Sequence, residues 1–244
     1  MKTKLLLAFS LFLSLFATSC NFTETLVINE DGSGTMTLAM DASQLMAMAG
    51  EEMTKETGGE RMDTIINFKE LLEEHKDSIA MLPEKERKMM QAFSNMKMKM
   101  LMDPATTEFK FDMITDFKGV NELQDMMKLM KEVKNMQGGA NEQDGMPDAF
   151  KNDSEVSYFY NGKKFIKKIT MPAEMKQIPD SLAMYMAMFE SSKYVMNYKF
   201  PKRIKSVSNS AAIISEDRKS VTVTYTLSDY YVDPKNMGIE VNFE

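Results

Sequence analysis

Residues 25–40 read Thr-Leu-Val-Ile-Asn-Glu-Asp-Gly-Ser-Gly-Thr-Met-Thr-Leu-Ala-Met. The run from Thr25 to Asn29 is β-branched and apolar, and Asp31-Gly32-Ser33-Gly34 supplies turn chemistry. In the second run Met36, Leu38 and Met40 fall on one face, opposite Thr35, Thr37 and Ala39. That alternation predicts a half-buried strand, so the segment is a β-hairpin. Asp41-Ala42-Ser43 then predicts a helix start leading into Gln44 to Ala49.

Downstream, Met62, Ile65, Ile66, Leu72 and Ile79 recur at helical spacing with Glu and Lys between them. Pro83-Glu84-Lys85-Glu86 opens a second helix, because proline is tolerated in a first turn and acids suit the helix dipole. Its stripe is Met89, Phe93, Met96 and Met100, and Asp103-Pro104 ends it. Phe109, Phe111 and Met113 alternate with Lys110 and Asp112 as a strand does. Gly119 precedes a third helix carrying Val120, Leu123, Met127, Met130 and Val133 on one face. Residues 137–155, rich in glycine and polar side chains, predict a mobile loop.

Strands dominate the last third. Val156 to Tyr160 and Lys163 to Met171 flank Asn161-Gly162, a strong short hairpin signal. Pro179-Asp180-Ser181 opens a short helix to about Phe189. Strands are expected over Tyr194 to Phe200, Ile204 to Val207, Ala211 to Ile214, Val221 to Leu227 and Met237 to Phe243. The expected class is α+β: an antiparallel β-sheet with a block of amphipathic helices inserted between the N-terminal hairpin and the C-terminal strands. One domain is expected over residues 24–244.

Upstream of the hairpin, Lys2 and Lys4 precede an apolar run from Leu5, and Ala17-Thr18-Ser19 lead into Cys20. The run is shorter than the ~20 residues that span a bilayer. Basic start, apolar run and small residues are the order of a cleaved signal, expected here over residues 1–19. Cys20 is the only cysteine. At the first mature position its thiol takes a diacylglycerol, so residues 20–23 are expected to form a lipidated anchor. The sequence therefore predicts export and tethering to a membrane of a bacterial cell envelope, periplasmic or surface-facing.

Composition narrows the function classes. Apolar content of 43% and charged content of 27% suit a packed globular chain. The net charge is −6 before Lys2 and Lys4 are lost with the signal, and a chain this acidic is a poor nucleic-acid binder. A single His, His75, removes His-cluster metal sites and His-based triads. No cofactor is expected. The oddity is 27 methionines.

Two segments carry a resemblance. Glu24 to Leu45 runs strand, Asp31-Gly32 turn, strand and helix. Tyr194 to Phe243 holds Phe200-Pro201-Lys202-Arg203-Ile204, a strand ending at Ile214, a charged turn and Val221-Thr222-Val223. This pattern resembles the LppM-type domain of bacterial exported lipoproteins over about a third of the chain. The resemblance implies an antiparallel sheet with packed helices and a role in binding apolar or lipid ligands. It carries over no catalytic residues. The chain departs from it in a longer helical middle and in Tyr225, where a Trp is expected.

Methionines cluster at Met96, Met98, Met100 and Met102, at Met126, Met127 and Met130, and at Met184, Met186 and Met188. Met replaces Leu readily on buried faces and also forms adaptable surfaces for varied apolar partners. Met89, Phe93, Met96, Met100, Met127 and Met130 are therefore the candidate ligand-binding residues, for a lipid-like molecule or an envelope protein. Soft thioethers at Met96, Met98 and Met100 offer a second reading, a Cu(I) site. On a helix those three would splay over more than half the circumference. No enzyme is expected, although a hydrolase with two carboxylates stays a third reading. Asp31 reads as a turn residue and not a calcium ligand. His75 reads as a surface or packing residue.

Overall fold

The computed structural model describes residues 21–49, 59–123, 155–170, 192–226, 229 and 234–244. The N-terminal hairpin forms as the alternation predicts, from β1 (Asn21–Ile28) and β2 (Gly34–Asp41). Every second residue of β1, from Phe22 to Ile28, is buried. The strand thus begins directly after Cys20. In the connecting turn the Asp31 carboxylate accepts from the Ser33 backbone and hydroxyl. Those bonds hold its pKa below the ordinary carboxylate value.

The segment expected to be mainly helical is largely strand. Helix α1 (Ser43–Ala49) is present, with the Asp41 carboxylate accepting from the Ser43 backbone at its start. Then β3 (Met62–Asn67) replaces the first part of the expected helix. Short helices α2 (Phe68–Glu74), α3 (Lys76–Ala80) and α4 (Glu84–Ala92) follow. Helix α4 stops at Phe93, and Met96–Asp103 is β4, not a continuing helix. It pairs along its length with β5 (Glu108–Phe117). Val120–Glu122 is a single 3-10 turn that ends at Leu123 in extended backbone, and the expected third helix beyond Leu123 and the loop 137–155 lie outside the described residues, except Glu155.

The C-terminal third contributes β6 (Glu155–Tyr160), β7 (Lys164–Thr170), β8 (Lys193–Lys199), β9 (Ile204–Val207), β10 (Ile213–Ile214), β11 (Ser220–Thr226) and β12 (Ile239–Phe243). Gly162 takes a positive φ of 76° in the β6–β7 turn, the conformation that Asn-Gly supplies. The expected helix from Pro179 lies outside the described residues.

Two sheets result. The larger has the order β10-β11-β8-β1-β2-β5-β4-β3, and the smaller β6-β7-β12-β9. The larger sheet is mixed, not purely antiparallel, because β1 and β8 run parallel. After β8 the chain leaves the larger sheet at Pro201, which lacks a ladder donor, and enters the smaller one as β9. The sheets face each other across aromatic contacts. Phe165 of β7 lies 5.5 Å from Tyr198 of β8 and 5.3 Å from Phe200, and Phe200 lies 4.9 Å from Phe243 of β12. Leu26, Val221 and Val223 fill this core from the larger sheet, and Ile204 and Val241 from the smaller.

Gly34 opens β2 where three strands converge. A Cβ there would lie 1.9 Å from the Val27 carbonyl oxygen and 2.6 Å from the Phe117 ring. Backbone cannot yield as a side-chain tip can. Gly34→Ala is expected to destabilise the protein by about 1–3 kcal/mol, as forced overpacking does. Urea unfolding checks this, and an unchanged midpoint would contradict the packing described.

Candidate functional site

Strand geometry sets the methionine pattern. Successive side chains in a strand point to opposite faces, so Met96, Met98, Met100 and Met102 share one face of β4 while Lys97, Lys99 and Leu101 take the other. The expected helical stripe does not exist, because Met89 belongs to α4 and Met96 and Met100 to β4. Register extends the apolar face across both neighbours. Met98 pairs with Met113 of β5, Met100 with Phe111 and Met102 with Phe109. On the other side Met102 pairs with Met62 of β3, Met100 with Thr64 and Met98 with Ile66.

Burial along this face is uneven. Met96, Met102 and Met113 are buried, while Met98, Met100, Met62, Phe109 and Phe111 are half-buried. Phe93, at the end of α4, is buried beside Phe68, with ring centroids 5.5 Å apart. Of the six residues chosen from the sequence, Phe93, Met96 and Met100 are therefore placed beside or on this sheet face. Met127 and Met130 lie outside the described residues, as does Cys20. The three candidate thioethers Met96, Met98 and Met100, splayed on a helix, are aligned on a strand.

A buried polar cluster stands between the two sheets. Glu24 of β1 is 4% exposed and Lys167 of β7 is 3% exposed. The Lys167 ammonium donates to Glu24 Oε2 at 2.6 Å. The Tyr194 hydroxyl donates to the same oxygen, and the Tyr198 hydroxyl to Oε1, each at 2.5 Å. Tyr158 of β6 donates to Oε1 at 3.3 Å. Lys167 Nζ also lies 3.5 Å from the Met196 sulfur and 5.8 Å from the centre of the Tyr194 ring.

Electrostatics follow from these contacts. Burial pushes the Glu24 pKa up, but the charge of Lys167 and the hydrogen bonds from Lys167, Tyr194 and Tyr198 outweigh it, and the pKa is lowered. Burial and then the Glu24 charge raise the Tyr198 pKa well above its ordinary value. Both carboxylate oxygens are thus occupied by donors from three strands. The cluster joins the sheets and presents no free acid or base to a substrate. Sequence reasoning missed it, although a signal existed. Glu24 falls in phase with Phe22, Leu26 and Ile28, and Lys167 in phase with Phe165 and Ile169, so each is a charge on an apolar strand face.

Other expected features fall on the surface. His75 is exposed between α2 and α3, and Glu73 and Glu74 are solvated. Among the described residues no group of three His, Cys, Asp or Glu side chains is placed to hold a metal ion. Among them, too, no helix is long and apolar enough to cross a membrane.

No protein family and no curated protein matches this sequence. One solved structure does. The chain is similar to the folded domain of the LppM protein of Mycobacterium tuberculosis, determined by NMR. Identity is 7%, over 93% of this chain and 90% of that one, with a TM-score of 0.36. The resemblance in residues 24–45 and 194–243 is to the same type of domain.

Proposed function

We propose that this protein is a lipid-anchored protein of the bacterial envelope that binds an apolar, lipid-like ligand on the methionine face of β3, β4 and β5. The anchor is the diacylated Cys20, and the protein acts by binding and not by catalysis. The observation that carries the reading is the register of β4. It gathers Met62, Met98, Met100, Phe109 and Phe111 on one sheet face with each of them half-buried. Flexible, polarisable thioethers adapt to acyl chains of varied shape. The buried acid Glu24 is saturated by its partners and so is not free to serve as a hydrolase's carboxylate.

The same alignment favours a second reading, Cu(I) held by thioethers, since Met113 lies opposite Met98. One set of variants separates the two. β1 starts at Asn21, so a chain of residues 21–244 keeps every described strand. In that chain an environment-sensitive naphthylamine probe is expected to bind and to be displaced by a long-chain fatty acid. Met98→Glu with Met100→Glu is expected to weaken probe binding by about ten-fold or more, since each buries a charge. Replacing Met96, Met98 and Met100 by Leu is expected to leave it within about two-fold, because the face stays apolar. Probe binding that survives the Glu pair would defeat the ligand reading. Cu(I) binding that disappears in the Leu triple, with no probe binding at all, would establish the second. Neither activity would point to an envelope protein as the partner.

A further inference from the structure

On the opposite, outer face of the larger sheet, two cross-strand rows run over β1, β2, β5 and β4. In one, Asn21 stands opposite Asp41, Asp41 opposite Lys110 and Lys110 opposite Leu101. In the other, Thr23 stands opposite Ala39, Ala39 opposite Asp112 and Asp112 opposite Lys99. Ala39 is the short side chain among long ones, and it leaves a cleft of about 300 Å³ between the rows. Lys99, Lys110, Asp41 and Asp112 line it, so the cleft presents both signs of charge and no net charge.

These charges are not all spent on one another. Lys110 is paired at 2.6 Å with Glu108 of its own strand, and Asp41 accepts from the Ser43 backbone at 3.0 Å. Lys99 and Asp112 are direct neighbours in register, and neither side chain forms a hydrogen bond or ion pair among the described residues, although Asp112 lies within electrostatic reach of Lys110. A cation and an anion on neighbouring residues in register, not bonded to each other, at the rim of a cleft suit a ligand that carries an anion and an ammonium on a short spacer. The position of the cleft says where such a ligand comes from. Asn21, which lines it, follows Cys20 directly, so an acylated Cys20 holds this end of the sheet at the bilayer surface.

We infer that this cleft binds the zwitterionic headgroup of a phosphoethanolamine lipid, with Lys99 on the phosphate and Asp112 on the ammonium. The inference rests on the Cys20 anchor of the proposed function and is independent of the methionine face. The balance of charge explains a preference for both halves of the headgroup over either alone.

The test uses the full chain in a non-ionic maltoside and soluble sn-glycero-3-phosphoethanolamine, whose binding needs no anchor. Acylation of Cys20 is read separately from the mass of the N-terminal peptide, so the two ideas fail distinguishably. Calorimetric titration is expected to give a dissociation constant in the millimolar range, with glycerol 3-phosphate and ethanolamine each weaker by about ten-fold or more. Lys99→Ala and Asp112→Ala are each expected to lose about ten-fold. Lys97→Ala, on the same face but paired with Asp116, is expected to bind as the parent does. Equal binding of the half-ligands, no binding of the headgroup, or Lys99 and Asp112 variants that bind normally would each overturn the inference. Tighter binding of glycine than of the headgroup would overturn it too, assigning the cleft to a soluble zwitterion.

Discussion

Glu24→Gln is expected to cost about 3–5 kcal/mol, because it leaves the Lys167 ammonium buried without its counter-charge. The carboxylate is 4% exposed and Lys167 3% exposed, so solvent cannot replace the lost partner. Lys167→Met is expected to cost less, since Tyr194 and Tyr198 still donate to the stranded carboxylate. Combining the two substitutions is expected to recover at least half of the Glu24→Gln loss, because no unpaired charge is then left buried and the introduced amide still accepts from the tyrosines. Urea unfolding of the three variants measures all of this. A cost below about 1 kcal/mol for Glu24→Gln would mean that water reaches the pair.

The same cluster fixes a pH response. The folded-state pKa of Glu24 lies below its ordinary value of 4.5, so the carboxylate binds protons less readily in the folded chain than in the unfolded one. Its contribution is fully present above that ordinary value and is lost as pH falls through the lower folded value. Stability of the parent is therefore expected to fall through the acid range below 4.5, and that component to be missing in Glu24→Gln.

Phe165→Ala is expected to cost about 4 kcal/mol. Phe165 is fully buried and its ring meets those of Tyr158, Tyr198 and Phe200, so its loss opens a cavity where the two sheets join. Phe159→Ala, on the neighbouring strand but 49% exposed, is expected to cost within about 1 kcal/mol. If Phe165→Ala does not fold, Phe165→Leu gives the graded test, at about 1–2 kcal/mol. Equal costs at Phe165 and Phe159 would contradict the facing of the sheets.

Local chemistry made parts of this fold readable in advance. The two hairpins at Asp31-Gly32 and Asn161-Gly162 follow from turn residues between alternating runs, and both are present. Met96–Asp103 went wrong for a definable reason. Its sequence, Met-Lys-Met-Lys-Met-Leu-Met-Asp, alternates as a strand does, but methionine and lysine are good helix formers and the stretch follows a helix start. Steps of four, three and four from Met89 to Met100 then mimicked one helical stripe. Pairing on both edges, with β3 and β5, overrides that propensity.

Other features had no local signature. The parallel pairing of β1 with β8 joins Asn21 to Lys193, and nothing near either residue specifies the partner. The Glu24 cluster was half legible. A lone acid in the buried phase of β1 calls for a counter-charge, but only the packing of the sheets names Lys167. The zwitterionic cleft was illegible, since it depends on four strands in register around the small Ala39.

Ligand binding on the methionine face is tested by native mass spectrometry of residues 21–244, purified from the host envelope without detergent or added metal. A species of lipid mass is expected bound to the chain and absent from the Met98→Glu, Met100→Glu variant. A clean apo mass for the unaltered chain would contradict ligand binding there.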